Sequence, residues 1–435
     1  MIATLRFLEL MIKRFKLNKF AKDSFWSVFG NGLGNALMLL AGIIIARMLG
    51  KDLYGEYGMV KTTMFYIAAF STFGLGYTST KFIAESISEA DHNSRSITRS
   101  SISITLVSSI FLCLLLCVFS HSLANFINTP KLATAFQFLG IIIILKAINT
   151  TQTGIIAGFK LFREIGIINI VSGITLIITC IPLTYFWSVK GSLLALILSQ
   201  VVLCVGGHIA ITKAQPKEES SMVNFVKPLM KFSFPVAMQE LTYMVCNWGS
   251  MLLITKHASV GEVGIYTAAT QWGAVILMIP SLLQNVFLSY LSSTASKQVQ
   301  HDKMLSRMML INLICTFMPF LIIFLLSNFI CSFYGPTFTG LKIVLIVYSF
   351  STILMCLNNV VQADLLAQGH NWLLFALRSS RDVLIIVALY YILIISHNKQ
   401  AALYLSIINV IGYAVFLGIL LLFSRHYNHH KLQSL

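Results

Sequence analysis

Twelve apolar runs of at least 18 residues, each bounded by charge, recur along this chain and limit its fold more than any other feature. A hydrocarbon core near 30 Å takes roughly 20 residues of helix at about 1.5 Å each. The runs fall at 24–48, 57–78, 98–120, 133–158, 164–187, 191–212, 231–255, 264–290, 307–331, 341–367, 372–396 and 400–424. A soluble fold is excluded by composition. Of 435 residues 57% are hydrophobic and 11% charged, against about 25% charged in an ordinary soluble domain. The expected fold class is an all-α integral membrane protein of about twelve transmembrane helices.

Sorting Lys and Arg by alternating loops gives the topology, because cytoplasmic loops retain positive charge. Twenty fall on the side of both termini, among them Lys13, Arg14, Arg95, Arg99, Lys213, Lys217 and Arg307; seven, such as Lys51, Lys190 and Lys342, fall on the other. Both termini are therefore expected in the cytoplasm. The net charge of +16 is scattered through these loops, with no stripe or patch of the kind nucleic acid needs. Residues 1–22 set Leu5, Phe7, Leu8, Met11, Ile12 and Phe15 among basic residues, the pattern of an amphipathic helix on an anionic membrane surface. The eight cysteines form no Cys-x-x-Cys pair and have no His spacing suited to zinc, so they read as small buried side chains and no metal is expected.

A repeat appears at a shift of 209 residues: Lys22, Ser24, Phe25, Gly55 and Tyr57 fall on Lys231, Ser233, Phe234, Gly264 and Tyr266. Near a shift of 210, Asn149, Gln152 and Ala157 fall on Asn359, Gln362 and Ala367. Six helices per repeat give both halves the same orientation, related by an axis along the membrane normal. The expected organisation is an amphipathic cytoplasmic segment 1–22, a six-helix bundle 23–212, a cytoplasmic linker 213–230, a second bundle 231–424 and a cytoplasmic tail 425–435.

Ionisable residues inside spans carry the most functional information, since each costs about 2.5–3.5 kcal/mol at a lipid-exposed helix centre. Lys146, Glu240, Arg378, Arg381 and Asp382 are expected to face a wet interior or one another, while Lys61 and Asp364 lie nearer span ends. Snorkelling to the interface is the bland alternative for Lys61 and Arg47. An i,i+4 ion pair is the bland alternative for Arg378 with Asp382. Glu240 and Asp364 are candidate proton or sodium sites, or partners of a cavity cation. Gln239, Tyr243, Asn247, Trp248, Gln271 and Trp272 are candidate sugar contacts, with interhelix packing as the alternative. The run Gly30, Asn31, Gly32, Gly34 and Asn35 suggests close helix packing or bending, because no strand precedes it and no βαβ unit surrounds it. Pro235 and Pro280 are candidate bends. No hydrolytic or transfer motif is present, so no enzyme is expected.

The segment 25–49 followed by Gly50-Lys51-Asp52-Leu53-Tyr54-Gly55-Glu56-Tyr57, with Ile156-Ala157-Gly158-Phe159-Lys160-Leu161-Phe162-Arg163-Glu164 later, resembles the bacterial polysaccharide-biosynthesis or O-antigen flippases (Wzx type) of the multidrug/oligosaccharidyl-lipid/polysaccharide exporter superfamily. The resemblance covers nearly the whole chain. It implies two bundles forming a V-shaped, MATE-like transporter in the bacterial inner membrane. The implied cargo is an oligosaccharide linked through diphosphate to undecaprenol, carried across by alternating access for O-antigen, capsule or related polymer synthesis. Lys61, Lys146, Arg378 and Arg381 are then the candidate cavity cations. No cofactor is implied beyond coupling to a proton or sodium gradient. The implied partners are the lipid-linked oligosaccharide, membrane lipids, a polysaccharide polymerase and a chain-length regulator. The rival readings are a cation-coupled multidrug exporter, whose cavity needs acidic groups, and a membrane polysaccharide polymerase, which needs a large outer loop.

Overall fold

The computed structural model describes residues 19–88, 93–126, 140–215, 225–294, 298–367, 371–395 and 400–433. All regular structure among them is helical: α1 (Lys19–Ser71), α2 (Leu75–Ser88), α3 (Ser94–Phe126), α4 (Ile141–Gly158), α5 (Phe162–Ala214), α6 (Val226–His257), α7 (Val260–Thr294), α8 (Gln298–Leu325), α9 (Ser327–Tyr334), α10 (Leu341–Ala367), α11 (Asn371–Ile395) and α12 (Ala401–Gln433). The proposed surface helix at 1–22 lies almost wholly outside the described residues.

Two of these elements are each a pair of spans. In α1 the chain leaves helical geometry at Gly50 (φ 71°, ψ 170°), a left-handed region open to glycine without Cβ strain. One glutamine shows the reversal: the Gln271 amide bonds the Tyr54 hydroxyl and also packs against Gly42, residues that a straight helix would hold about 18 Å apart. In α5 the break is at Ser188 (φ 51°, ψ −130°). There the Thr184 and Ser192 hydroxyls lie 2.9 Å apart, where a straight helix would separate them by about 12 Å.

The second expected span departs from its prediction. It does not run unbroken over 57–78: the helix stops at Ser71 and restarts at Leu75, with positive φ at Phe73 (47°) and Gly74 (73°). The freed backbone groups are satisfied locally. Leu75 N–H donates to the Thr72 carbonyl at 2.8 Å, and the Ser108 hydroxyl of α3 donates to the Ser71 carbonyl at 2.5 Å. The ninth expected span, 307–331, is likewise divided, into α8 and the short α9. Pro235 and Pro280 lie inside α6 and α7 without breaking them.

Glycines set the closest helix crossings. Gly30 and Gly34 of α1 press against Gly166 and Asn169 of α5, and the Asn169 amide donates to Asn31 Oδ1 at 2.6 Å. The small, amide-rich run thus serves close packing. Across the two halves, an added Cβ on Gly55 would collide with the Val260 carbonyl, and one on Gly264 with the Lys51 carbonyl. These contacts are equivalent under the 209-residue shift, which carries 55 to 264 and 51 to 260. Gly58 meets Thr267, again its own repeat mate. Reciprocal contacts of this kind are the signature of a two-fold relation, with its axis between Gly55 and Gly264.

The V shape follows from how apolar side chains cluster. Near Gly50 both halves share one core, containing Ala41, Ile45 and Tyr54 together with Ile254, Val263, Leu345 and Leu405. Toward the opposite end the cores separate. Leu75, Ile83, Ile97, Ile155 and Ile211 form one that also includes Leu229 from the first turn of α6; Val361, Leu365, Leu374, Phe416 and Leu420 form another. The halves share one core at the Gly50 end and have separate cores beyond it, where α6 still packs on the first half through Leu229.

Candidate functional site

Helical periodicity on α1 puts Lys61, Phe65, Ala69 and Thr72 on one face, and on α4 it aligns Lys146, Thr150, Thr153 and Ala157. The two faces oppose each other. Lys61 Nζ lies 5.8 Å from the centre of the Phe65 ring and Lys146 Nζ lies 5.2 Å from it. Lys61 also lies 5.6 Å from the Tyr57 ring. The ring faces offset part of the cost of holding cations away from water, yet Lys61 feels the charge of Lys146. Neither ammonium has a carboxylate partner among the described residues.

Beyond the lysines, the same two faces bound a cavity of about 610 Å³. Its walls include Thr72, Thr80, Thr150 and Thr153, the Tyr77 ring, and Met244 from the other half. Each of these four threonines donates its hydroxyl hydrogen to a helix carbonyl at 2.8–2.9 Å, which leaves oxygen lone pairs turned to the cavity. The break between α1 and α2 belongs to this wall: Gly74, Gly76 and Tyr77, at the start of α2, line the cavity. A helix start presents positive dipole. Irregular backbone at membrane depth is tolerated where it borders such a space.

The second half has the same frame without this chemistry. Its counterpart cavity, bounded by Pro280, Ser281, Asn359, Val360 and Ala363, measures about 150 Å³. Under the repeat, Thr270 stands where Lys61 does and Cys356 where Lys146 does; Val360 and Ala363 replace Thr150 and Thr153. The cations are therefore not required by the fold.

The other expected site residues are dispersed. Arg381 is buried and bonds Asp382 Oδ1 through Nε at 2.9 Å and Nη2 at 2.7 Å, so the acid expected to pair with Arg378 is engaged by Arg381. The Arg381 guanidinium stacks 4.6 Å from the Phe416 ring beside a groove between α11 and α12, away from the lysines. Arg378 lies 5.5 Å from the Tyr243 ring. Asp364 is completely buried. The side chains of Gln239 and Glu240 lie outside the described residues. The remaining sugar candidates make packing bonds: Trp248 to Thr63 at 2.9 Å, Trp272 to Tyr334 at 2.9 Å, Gln271 to Tyr54, and Asn247 to the Tyr243 carbonyl at 2.9 Å. Of the four candidate cations, the structure brings together Lys61 and Lys146.

Sequence reasoning missed two features. One is the threonine wall, whose signal is the i,i+4,i+7,i+11 spacing of Thr150, Thr153 and Ala157 from Lys146. The other is a tyrosine cluster where the halves meet, Tyr66, Tyr243, Tyr266, Tyr348 and Tyr413, whose hydroxyls lie within electrostatic reach of one another.

Comparison with known proteins fits this architecture. A family model described as polysaccharide biosynthesis protein matches residues 20–289. The chain belongs to that family. A Shigella flexneri protein described as a candidate O-antigen transporter is 22% identical to this family member over 363 residues, 79% of this chain and 84% of that one. Among solved structures, an inward-facing multidrug resistance MATE family transporter superposes with a TM-score of 0.78 at 14% identity, covering 93% of this chain and 96% of its own. A Pyrococcus furiosus transporter, reported with reversed polarity of its binding pocket, gives 0.69 at 14% identity over 94% and 96%. The lipid II flippase MurJ gives 0.68 at 16% over 93% and 87%. This polysaccharide biosynthesis protein is thus a multi-pass membrane protein with the MATE-like transporter fold.

Proposed function

We propose that the chain is a flippase that carries undecaprenyl-diphosphate-linked oligosaccharide units from the cytoplasmic to the periplasmic leaflet of the bacterial inner membrane, for assembly of O-antigen, capsule or a related polymer. The observation that carries this reading is the convergence of Lys61 and Lys146 on Phe65 without an acidic partner among the described residues. Two half-buried ammonium groups repel each other, and a multiply charged anion relieves that repulsion. A diphosphate supplies such charge, and the adjoining threonine oxygens accept hydrogen bonds from sugar hydroxyls. The Pyrococcus furiosus transporter, whose reversed pocket polarity is reported to suggest a different function, supports reading the sign of the buried charges as a guide to cargo.

With both termini cytoplasmic, the joined Gly50 end faces the periplasm and the threonine-lined cavity faces the cytoplasm. That state receives cargo. Rocking of the halves then parts the Gly50 end and delivers it. Coupling to a proton or sodium gradient and work alongside a polymerase and a chain-length regulator complete the proposal, with Asp364 and Glu240 the candidate ion sites.

Lys61→Ala and Lys146→Ala are expected to leave the protein in the membrane and abolish surface polysaccharide. Full surface polysaccharide in both variants overturns the site. Drug sensitivity of a deletion strain with normal surface glycan supports the exporter reading instead.

A further inference from the structure

Between α9 and α10, residues 335–340 form a short loop of the second half that reaches the break in α1. Glycines bound it, Gly335 at φ 92° and Gly340 at φ 90°. A methyl group on either would meet no atom within 4 Å, so positive φ, not close packing, calls for glycine there. Small residues of this kind at element ends serve as hinges, because they absorb a change of backbone direction.

The loop has a base and a tip that hold different partners. At the base, Tyr334 stays with its own half: it is buried, and its hydroxyl accepts a hydrogen bond from Trp272 Nε1 of α7 at 2.9 Å. The tip grips the other half. In the first turn after the break at Gly50, where a backbone donor has no partner within its helix, the Lys51 N–H donates to Thr337 Oγ1 at 3.3 Å. The Phe338 ring meets the Tyr54 ring edge-on, 5.9 Å between centres, and both residues are buried. Along α1 the tip lies at Gly50, the glycine crossing at Gly55 and the lysine face from Lys61 onward, so the loop ties the halves together on the side of the crossing away from the lysines.

We propose that this loop is the fastener of the outer end: Thr337 and Phe338 hold the halves shut at Gly50 and let go of α1, swinging on Gly335 and Gly340, before cargo leaves. The inference rests on reading the Gly50 end as the periplasmic exit. Parting of the halves has to break one of the loop's two attachments. The tip is the weaker, because its hydrogen bond is longer and exposed, whereas the bond at the base is shorter and partly buried.

The test uses the full chain without its native cysteines, in a host whose surface polysaccharide depends on the protein. A Cβ on Gly50 would lie 3.9 Å from the Thr337 Cβ, within the range of a disulfide, so Gly50→Cys with Thr337→Cys is expected to crosslink on oxidation. Surface polysaccharide is then expected to fall at least about tenfold and to recover with dithiothreitol, while each single variant keeps it. Where Gly50→Cys alone does not fold, Lys51→Cys takes its place. Failure to crosslink, or undiminished polysaccharide with fully crosslinked protein, overturns the fastener. A second measurement is independent of cargo. Spin labels at Lys190→Cys and Lys342→Cys, exposed positions in the two halves, report the outer end in vesicles. Thr337→Val combined with Phe338→Ala is expected to raise the long-distance population at least about threefold, the equivalent of one lost aromatic pair; an unchanged distribution overturns the proposal. If the labels separate but a deletion strain keeps its surface polysaccharide, the fastener stands and the flippase reading falls.

Discussion

At the scale of single residues, charged groups inside this protein take two different forms. Arg381 and Asp382 neutralise each other in a buried pair, whereas Lys61 and Lys146 both approach the ring of Phe65. The first arrangement is structural. Removing one partner of a buried pair leaves an uncompensated charge and costs about 3–5 kcal/mol. Asp382→Ala is therefore expected to lower the thermal unfolding midpoint in detergent sharply, and joint replacement by Arg381→Met and Asp382→Leu to recover most of that loss. The second arrangement is expected to answer in the opposite sense. Lys146→Met removes repulsion, so the melting point should hold or rise while surface polysaccharide is lost. Unequal charge signs explain why one sequence pattern, cations within apolar runs, could not separate these roles. Lys61 and Lys146 are 85 positions apart, and no local pattern records that they meet.

Among the elements, the spans were legible because twenty apolar residues in a row leave few alternatives in lipid. The breaks were less so. Gly50 closes a run ending in charge and could be read as a turn; Ser188 reverses α5 at a residue with no special tolerance for positive φ, held there by its surroundings. The interruption between α1 and α2 had a partial signal in Gly74 and Gly76, but Phe73 (φ 47°) contradicts it. Gly74→Ala at φ 73° is expected to cost about 1–2 kcal/mol and to weaken geranyl diphosphate binding, because the start of α2 forms the cavity wall; unchanged binding by isothermal titration would remove that wall from the site. The interface glycines show what the repeat could and could not say. Gly55 and Gly264 were visible as equivalent positions, yet only the fold shows that they touch.

For the whole molecule, two equivalent halves share a frame and differ in cargo chemistry, since Thr270 and Cys356 occupy the places of Lys61 and Lys146. Wedging the shared crossing should therefore affect motion without touching the lysines. Gly55→Leu and Gly264→Leu are each expected to widen the Gly50 end, seen as longer distances between spin labels placed on the two halves of a cysteine-free background, and the paired positions should give similar shifts. A large asymmetry between the two variants would contradict the two-fold relation.

That crossing also fixes a mechanical ratio. Gly55 and Gly264 meet near one end of the molecule, whereas Ser71, where α1 ends beside the cavity, stands 16 residues farther along the chain, about 24 Å of helix away. A pivot placed there works as the short arm of a lever. A tilt of roughly 10° about it moves backbone at the crossing by a fraction of an ångström and the end of α1 at the cavity by about 4 Å. Backbones packed too tightly to admit a methyl group can thus govern an opening wide enough for a sugar, and the stiffness of the protein's rocking motion is set by a few glycines that never meet its cargo.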